Sequence, residues 1–261
     1  MPPDSVIHAE CVDFRYAESE WILRDIDFTL HAGEILCIVG PSGCGKTSLL
    51  NLIAGLTEPS RGVIHFSRNG HEQRKIGYIF QFDALLPWRK VRGNLALGME
   101  ISGKKQAWDD SHISSYLDAF HLDESVLDKY PSELSGGMRQ RVAIIQSLLY
   151  DPDVLLLDEP FSSLDFYTKL NLETEFWKLV KNRNKAAIFI THDIDEAIAM
   201  GDRVFIMGAS PGRIIEDVPI TDCAELPPEE SRSHPAFSRH FNHIWGAISQ
   251  QMAEKRKSEV A

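Results

Sequence analysis

GPSGCGKT, Gly40 to Thr47, follows the unbroken apolar run Ile35–Val39 and leads into Ser48–Gly55. The apolar run reads as a strand buried on both faces, and Thr47–Gly55 reads as a helix. Strand, glycine loop and helix together form the setting in which backbone N–H groups wrap nucleotide phosphates. Gly40, Gly43 and Gly45 let the backbone come close to the phosphates. Lys46 supplies a point charge for the β and γ oxygens, and the Thr47 hydroxyl is placed to ligate Mg²⁺. Pro41, Ser42, Cys44 and Ser48 complete the nucleotide-contacting stretch. Cys44 stands where the motif leaves the residue free, and an exposed thiol there would make the protein sensitive to alkylation. An α/β core of the P-loop NTPase (RecA-like) kind is the fold that this reading predicts.

The chain has 261 residues, 43% hydrophobic and 25% charged, enough for one large α/β domain with a proper core. Apolar runs such as Val154–Leu157 and Ala186–Ile190 fall far short of the roughly 18–20 residues of a membrane span. The start, MPPDSVIHAE, has no basic region followed by an apolar stretch, so a cytosolic protein is expected. A net charge of −11 argues against nucleic acid as the main partner and against adhesion to an anionic membrane face. Membrane association would then run through a protein partner. The four cysteines are scattered, with no C-x-x-C pair, and read as reduced thiols.

Outward from the loop, Ser5–Tyr16, Ile22–Leu30 and Val63–Ser67 alternate apolar and polar residues, with Gly33, Gly62 and Gly70 between them. This is an N-terminal antiparallel β subdomain by pattern. From Leu85 to Tyr130 strands are hard to find, while Ile113, Tyr116, Leu117 and Phe120 recur at helical spacing. After Ser135 strands at 154–157, 186–190 and 203–207 alternate with helices, which means parallel βαβ units. Val218 to Pro235 carries four prolines among acids and serines and reads as a linker. A last helix follows, with Phe237, Phe241, Ile244, Trp245, Ile248 and Met252 along one face, for packing on the chain's own body or on a sister subunit. His234, His240 and His243 lack a completed metal-ligand pattern and read as solvated helix surface.

Three further strings have a fixed order: LSGGM at Leu134–Met138, VLLLDEP from Val154 to Pro160, and THD at Thr191–Asp193. In that order they resemble the ATPase subunit of an ATP-binding-cassette (ABC) transporter, from about Val6 to Gly212. The resemblance implies an ATPase domain over residues 5–212, with a signature-bearing helical lobe over about 85–135. Residues 213–261 then form a short linker and an amphipathic helix. It also implies roles. Asp158 holds Mg²⁺ with Thr47, and Glu159 polarises the attacking water. Gln81 in GYIFQ touches Mg²⁺ and that water, and His192 contacts the γ-phosphate. Tyr16, thirty positions before Lys46, stacks on adenine. Ser135, Gly136 and Gly137 form the signature that reaches the nucleotide of a second subunit, and Asp165 in SSLD crosses to that subunit. ATP and Mg²⁺ are the implied cofactors, in a head-to-tail pair with a second copy or a related ATPase.

LLPWRKVRGN (Leu85–Asn94), SPGRII (Ser210–Ile215) and YPSELSGGMRQRVAI (from Tyr130) are similar to one subgroup, ATPases of importers for nitrate, alkanesulfonates, taurine and related solutes. That implies transmembrane permease subunits, an extracytoplasmic solute-binding protein, and a place on the cytoplasmic face of the membrane. Trp88 and Arg89 would lie near the groove that receives a short permease helix. Gln146 and Lys169 stand where the family often has arginine. The competing readings are a soluble, non-transport ABC clamp, which usually carries coiled-coil insertions or two fused cassettes, and a nucleotide sensor that does not hydrolyse.

Overall fold

The computed structural model describes residues 5–17, 19–67, 75–101, 110–209 and 211–260. Gly70, Ser210 and the Met252 side chain lie outside the described set. Strands β1 (Ser5–Phe14) and β2 (Leu23–His31) pair antiparallel. The run Ile35–Val39 is β3, and the glycine loop carries it into α1 (Lys46–Ile53). β4 (Arg61–Phe66) returns to the other side of β1, so the small sheet has the order β2-β1-β4.

β5 (Ile76–Ile79) precedes the helical stretch: α2 (Val91–Leu95), α3 (Leu97–Ile101), α4 (Asp110–Ala119) and 3₁₀ turns at Glu124–Asp128 and Pro131–Glu133. The alternation then runs α5 (Gly136–Leu149), β6 (Val154–Asp158), α6 (Phe166–Asn182), β7 (Ala186–Ile190), α7 (Ile194–Met200) and β8 (Arg203–Gly208). The large sheet has the order β5-β6-β7-β3-β8-β9, parallel through β8, with β9 (Arg213–Pro219) antiparallel at its edge. Every residue of β3, β6 and β7 is buried, as a parallel sheet covered on both faces requires. Their side chains alternate between two cores. Ile35, Cys37, Leu155, Leu157 and Phe189 join the core that includes α5 and α6. Leu36, Ile38, Val154, Leu156 and Ile188 pack with α1 and the small sheet.

Two expectations need correction after Gly212, and the last helix packs as expected except at Trp245. The stretch read as a linker is largely structured: β9 pairs with β8, and α8 (Pro228–Ser233) packs on α6 and α7. Composition hid this because its prolines sit where proline is tolerated, Pro219 at the end of an edge strand and Pro228 at the first position of a helix. His240 is not solvated; it is buried beside Asp222, and burial pushes its pKa down. In α9 (Phe237–Val260), Phe237, Ile244 and Ile248 pack on the protein's own body, while Trp245 stays exposed and stacks on Phe241. Among the described residues no helix is long and apolar enough to cross a membrane.

Candidate functional site

Register places the site. Asp158 of β6 and Ile38 of β3 both face Ile190 of β7, so the loops leaving these three strands emerge side by side at one sheet edge. The first of them is Gly40–Thr47. A Cβ on Gly40 would meet the Met207 carbonyl oxygen at 2.6 Å, and one on Gly45 would meet Leu23 at 2.7 Å. Gly45, at φ 96°, begins α1 in a left-handed conformation that glycine tolerates, and no side chain caps that helix end. Its first N–H groups are therefore left for an anion. Around Gly43 a Cβ would meet nothing within 4 Å, so that side of the loop is open. Lys46 Nζ folds back across the loop, donating to the carbonyls of Gly40 (2.8 Å) and Pro41 (3.1 Å). Ser42 and Thr47 are exposed and Ser48 half-buried.

Cys44 departs from the alkylation expectation. It is buried, its carbonyl abuts Gly212, and burial pushes its thiol pKa up despite the nearby Lys46 ammonium. A buried protonated thiol is a poor nucleophile.

Thr47 Oγ1 donates to Asp158 Oδ2 at 2.7 Å. Burial is the main influence raising the Asp158 pKa, opposed first by the Thr47 hydroxyl, while the Glu159 charge raises it further. A hydroxyl and a carboxylate facing one another at the end of a buried strand are the donor set that a hard divalent cation takes. One residue on, Glu159 has φ 48°, an uncommon conformation for a non-glycine residue, and its N–H is tied to the Ile190 carbonyl. The turn swings its carboxylate out of the strand line. Its Oε2 lies 3.1 Å from His192 Nδ1 and 3.4 Å from Gln81 Nε2. Gln81 follows β5 and His192 follows β7, so three strand ends converge on one acceptor oxygen. Such a group can orient water and accept its proton.

The remaining expected residues lie elsewhere. Tyr16 is half-exposed on the β1–β2 loop, edge-on to Phe14, and the same loop closes at Ile22 beside Gly45. Ser135 caps α5 through the Met138 N–H (3.3 Å), leaving Gly136 exposed. Asp165 caps α6 through the Thr168 N–H (3.1 Å), and hydrogen bonding from the Thr168 side chain first, then from its N–H, lowers the Asp165 pKa. Among the described residues no hydrogen bond joins Ser135–Gly137 or Asp165 to the Gly40–Thr47 loop.

Sequence reading missed the braces between these parts. Arg139 Nε donates to Asp83 (2.9 Å) and Gln140 to the Phe80 carbonyl (3.3 Å), tying α5 to both sides of Gln81. Gln146 donates to the Asn94 carbonyl, and Lys169 pairs with Asp193, so both arginine replacements find polar partners. The runs of charge in MRQR were the available signal, but their partners are non-local. Trp88 and Phe82 are widely exposed, and Arg89 pairs with Glu100.

The family model described as "ABC transporter" matches residues 23–162, more than half of the chain. The chain belongs to the ABC transporter family. It is 40% identical over 258 residues to the "Uncharacterized ABC transporter ATP-binding protein YtlC" of Bacillus subtilis (strain 168), covering 97% of this chain and 99% of that one. It is 38% identical over 238 residues to the "Taurine import ATP-binding protein TauB" of Escherichia coli O157:H7, covering 88% and 92%. Among solved structures, the dimeric post-hydrolysis ATP-binding cassette MJ0796, bound to ADP and Pi, superposes with a TM-score of 0.70 at 26% identity, over 82% of this chain and 98% of that one. This ABC subunit therefore has the P-loop NTPase fold and is an ATP-binding ATPase, in line with the sequence expectation.

Proposed function

We propose that this ATPase drives an importer for a small solute such as taurine, an alkanesulfonate or nitrate, through a separate membrane permease. Residues 5–212 act as the ATPase domain, and the lobe of residues 85–135 carries the signature. The 38% identity to a taurine import ATP-binding protein supports the importer reading most directly, and the convergence of Gln81 and His192 on Glu159 Oε2 supports hydrolysis as its motor. In this reading the Gly40–Thr47 amides and Lys46 hold the phosphates, Pro41, Ser42, Cys44 and Ser48 shape the loop and first helical turn, and Tyr16 stacks on adenine. Thr47, Asp158 and Gln81 would hold Mg²⁺, which supplies charge neutralisation for the β and γ oxygens. Glu159 takes the water proton, and His192 bonds the γ-phosphate and keeps Glu159 aimed.

Among the described residues, the exposed Ser135–Gly136 turn and Asp165 make no hydrogen bond to the loop of their own chain. They therefore suit a head-to-tail pair, in which each nucleotide lies between one subunit's loop and the other's signature. The partner is a second copy or a related ATPase. The net charge of −11 suits a subunit held at the cytoplasmic face through its permease rather than by lipid or nucleic acid. An extracytoplasmic solute-binding protein acts indirectly.

Reconstitution in proteoliposomes with an importer permease and its solute-binding protein tests this. Uptake of one of these solutes should require ATP and stop with Glu159→Gln. Hydrolysis that ignores the permease and solute would overturn the reading and favour a soluble clamp.

A further inference from the structure

A buried ionic cluster links the region beyond Gly212 to His192. Four residues after the Asp165 cap, Lys169 Nζ reaches Asp193 Oδ2 at 2.8 Å, Glu196 Oε1 at 3.4 Å and Glu173 Oε1 at 3.9 Å. Glu173 is wholly buried, and its Oε2 lies 2.5 Å from the guanidinium of Arg232 in α8. Two cations thus face three carboxylates, and each cation is needed where charge is taken out of water.

His192 sits in the middle of the turn this cluster holds. The Thr191 N–H donates to the Ile38 carbonyl (3.2 Å), and its hydroxyl bonds the Glu196 carboxyl. The Asp193 N–H donates to Thr191 Oγ1 (3.0 Å), while Asp193 Oδ1 accepts from the N–H groups of Asp195 (3.0 Å) and Glu196 (3.4 Å). The His192 ring itself is 67% exposed, with its Nδ1 3.1 Å from Glu159. Its aim therefore comes from the backbone turn and not from packing around the ring.

We propose that Arg232 is a positioning residue for ATP hydrolysis: by holding Glu173 it leaves Lys169 free to clamp Asp193, and so fixes the turn that aims His192 at Glu159. Without Arg232, the Glu173 carboxylate is buried with Lys169 as its nearest cation. Lys169 is drawn from Asp193 toward Glu173, and the His192 turn loosens. The Gly40–Thr47 loop makes none of these bonds, so the loss should fall on turnover more than on binding of ATP, which gives up at most the His192 contact. The inference rests on the role proposed above for His192.

Steady-state hydrolysis by the full chain, with ATP and Mg²⁺, tests it through three variants. In Arg232→Ala, kcat should fall roughly ten-fold or more, the scale on which a displaced catalytic group slows a reaction, with KM for ATP changing less than kcat. Arg232→Lys should recover most of that loss. Glu173→Gln placed in Arg232→Ala should also restore kcat, because it removes the carboxylate that captures Lys169, and this double variant keeps the test alive if Arg232→Ala alone does not fold. A wild-type kcat in Arg232→Ala, or a double variant that stays slow, would overturn the proposal. His192→Ala run beside them separates the two readings. If it is slow while Arg232→Ala is normal, only the positioning role fails; if it turns over at full speed, the His192 reading fails and this one with it.

Discussion

His192 Nδ1 and Glu159 Oε2 stand 3.1 Å apart although 33 residues separate them in the chain. The β6–β7 register brings them together, since Asp158 and Ile190 are direct partners and each loop leaves its strand at the same level. The sheet thus brings the two strand ends level, and the Thr191–Asp193 turn aims the ring at the carboxylate.

Replacing that carboxylate should separate binding from hydrolysis. Glu159→Gln keeps the size and the partners of the side chain but cannot take a proton. Phosphate release should fall by about 10²–10⁴-fold, the usual worth of a general base. ATP binding should persist, and gel filtration with ATP should show a trapped dimer. Full activity would remove Glu159 as the base.

Asp158 sets function against stability. Burial raises its pKa, so its charge costs the folded protein stability at neutral pH. Asp158→Asn still accepts from Thr47, and should leave the melting temperature equal or a few degrees higher while hydrolysis in the presence of Mg²⁺ is lost. A lower melting temperature with retained activity would contradict both halves.

Two substitutions pull the cap made by Ser135 apart from its proposed reach to a second subunit's nucleotide. Ser135→Ala removes the cap on the Met138 N–H and should cost about 0.5–2 kcal/mol in urea unfolding. Ser135→Arg crowds the exposed face of the same turn and should abolish cooperative hydrolysis with little further loss of stability. Unchanged cooperativity would argue against a nucleotide held between two subunits.

Glu196 gives a pH dependence with a fixed sign. Burial pushes its carboxyl up to about 7, against the pull of Lys169 and Thr191. The folded state thus binds this proton more tightly than the unfolded chain, and the associated stability fades as pH rises through the folded value. Glu196→Gln does not titrate. Its melting temperature relative to wild type should therefore climb between about pH 5 and pH 8, and a flat difference would refute the assignment.

Much of this was legible because the motifs are local. GPSGCGKT carries its own strand, turn and helix signals, and VLLLDEP announces a fully buried strand with acids at its tip. The resemblance named Gln81 and His192, and the structure brings both to Glu159 Oε2. What stayed hidden is non-local or positional. The left-handed turn at Glu159 leaves no composition signal. Arg139 meets Asp83 from 56 residues away, and Arg232 meets Glu173 from 59. Pro219 and Pro228 disguised a strand and a helix as a linker, because proline at an element's end looks the same in sequence as proline in a loop.

The antiparallel strand β9 has one more consequence. Val204 pairs with Val218 and Ile206 with Glu216, so β9 occupies the outer hydrogen-bonding row of β8. A chain cut at Gly212 would uncover that row along a strand whose residues Val204–Gly208 are all buried. Bare, flat and apolar, it is a template for self-association. Trimming this protein to its motif-bearing portion should therefore make it prone to aggregate.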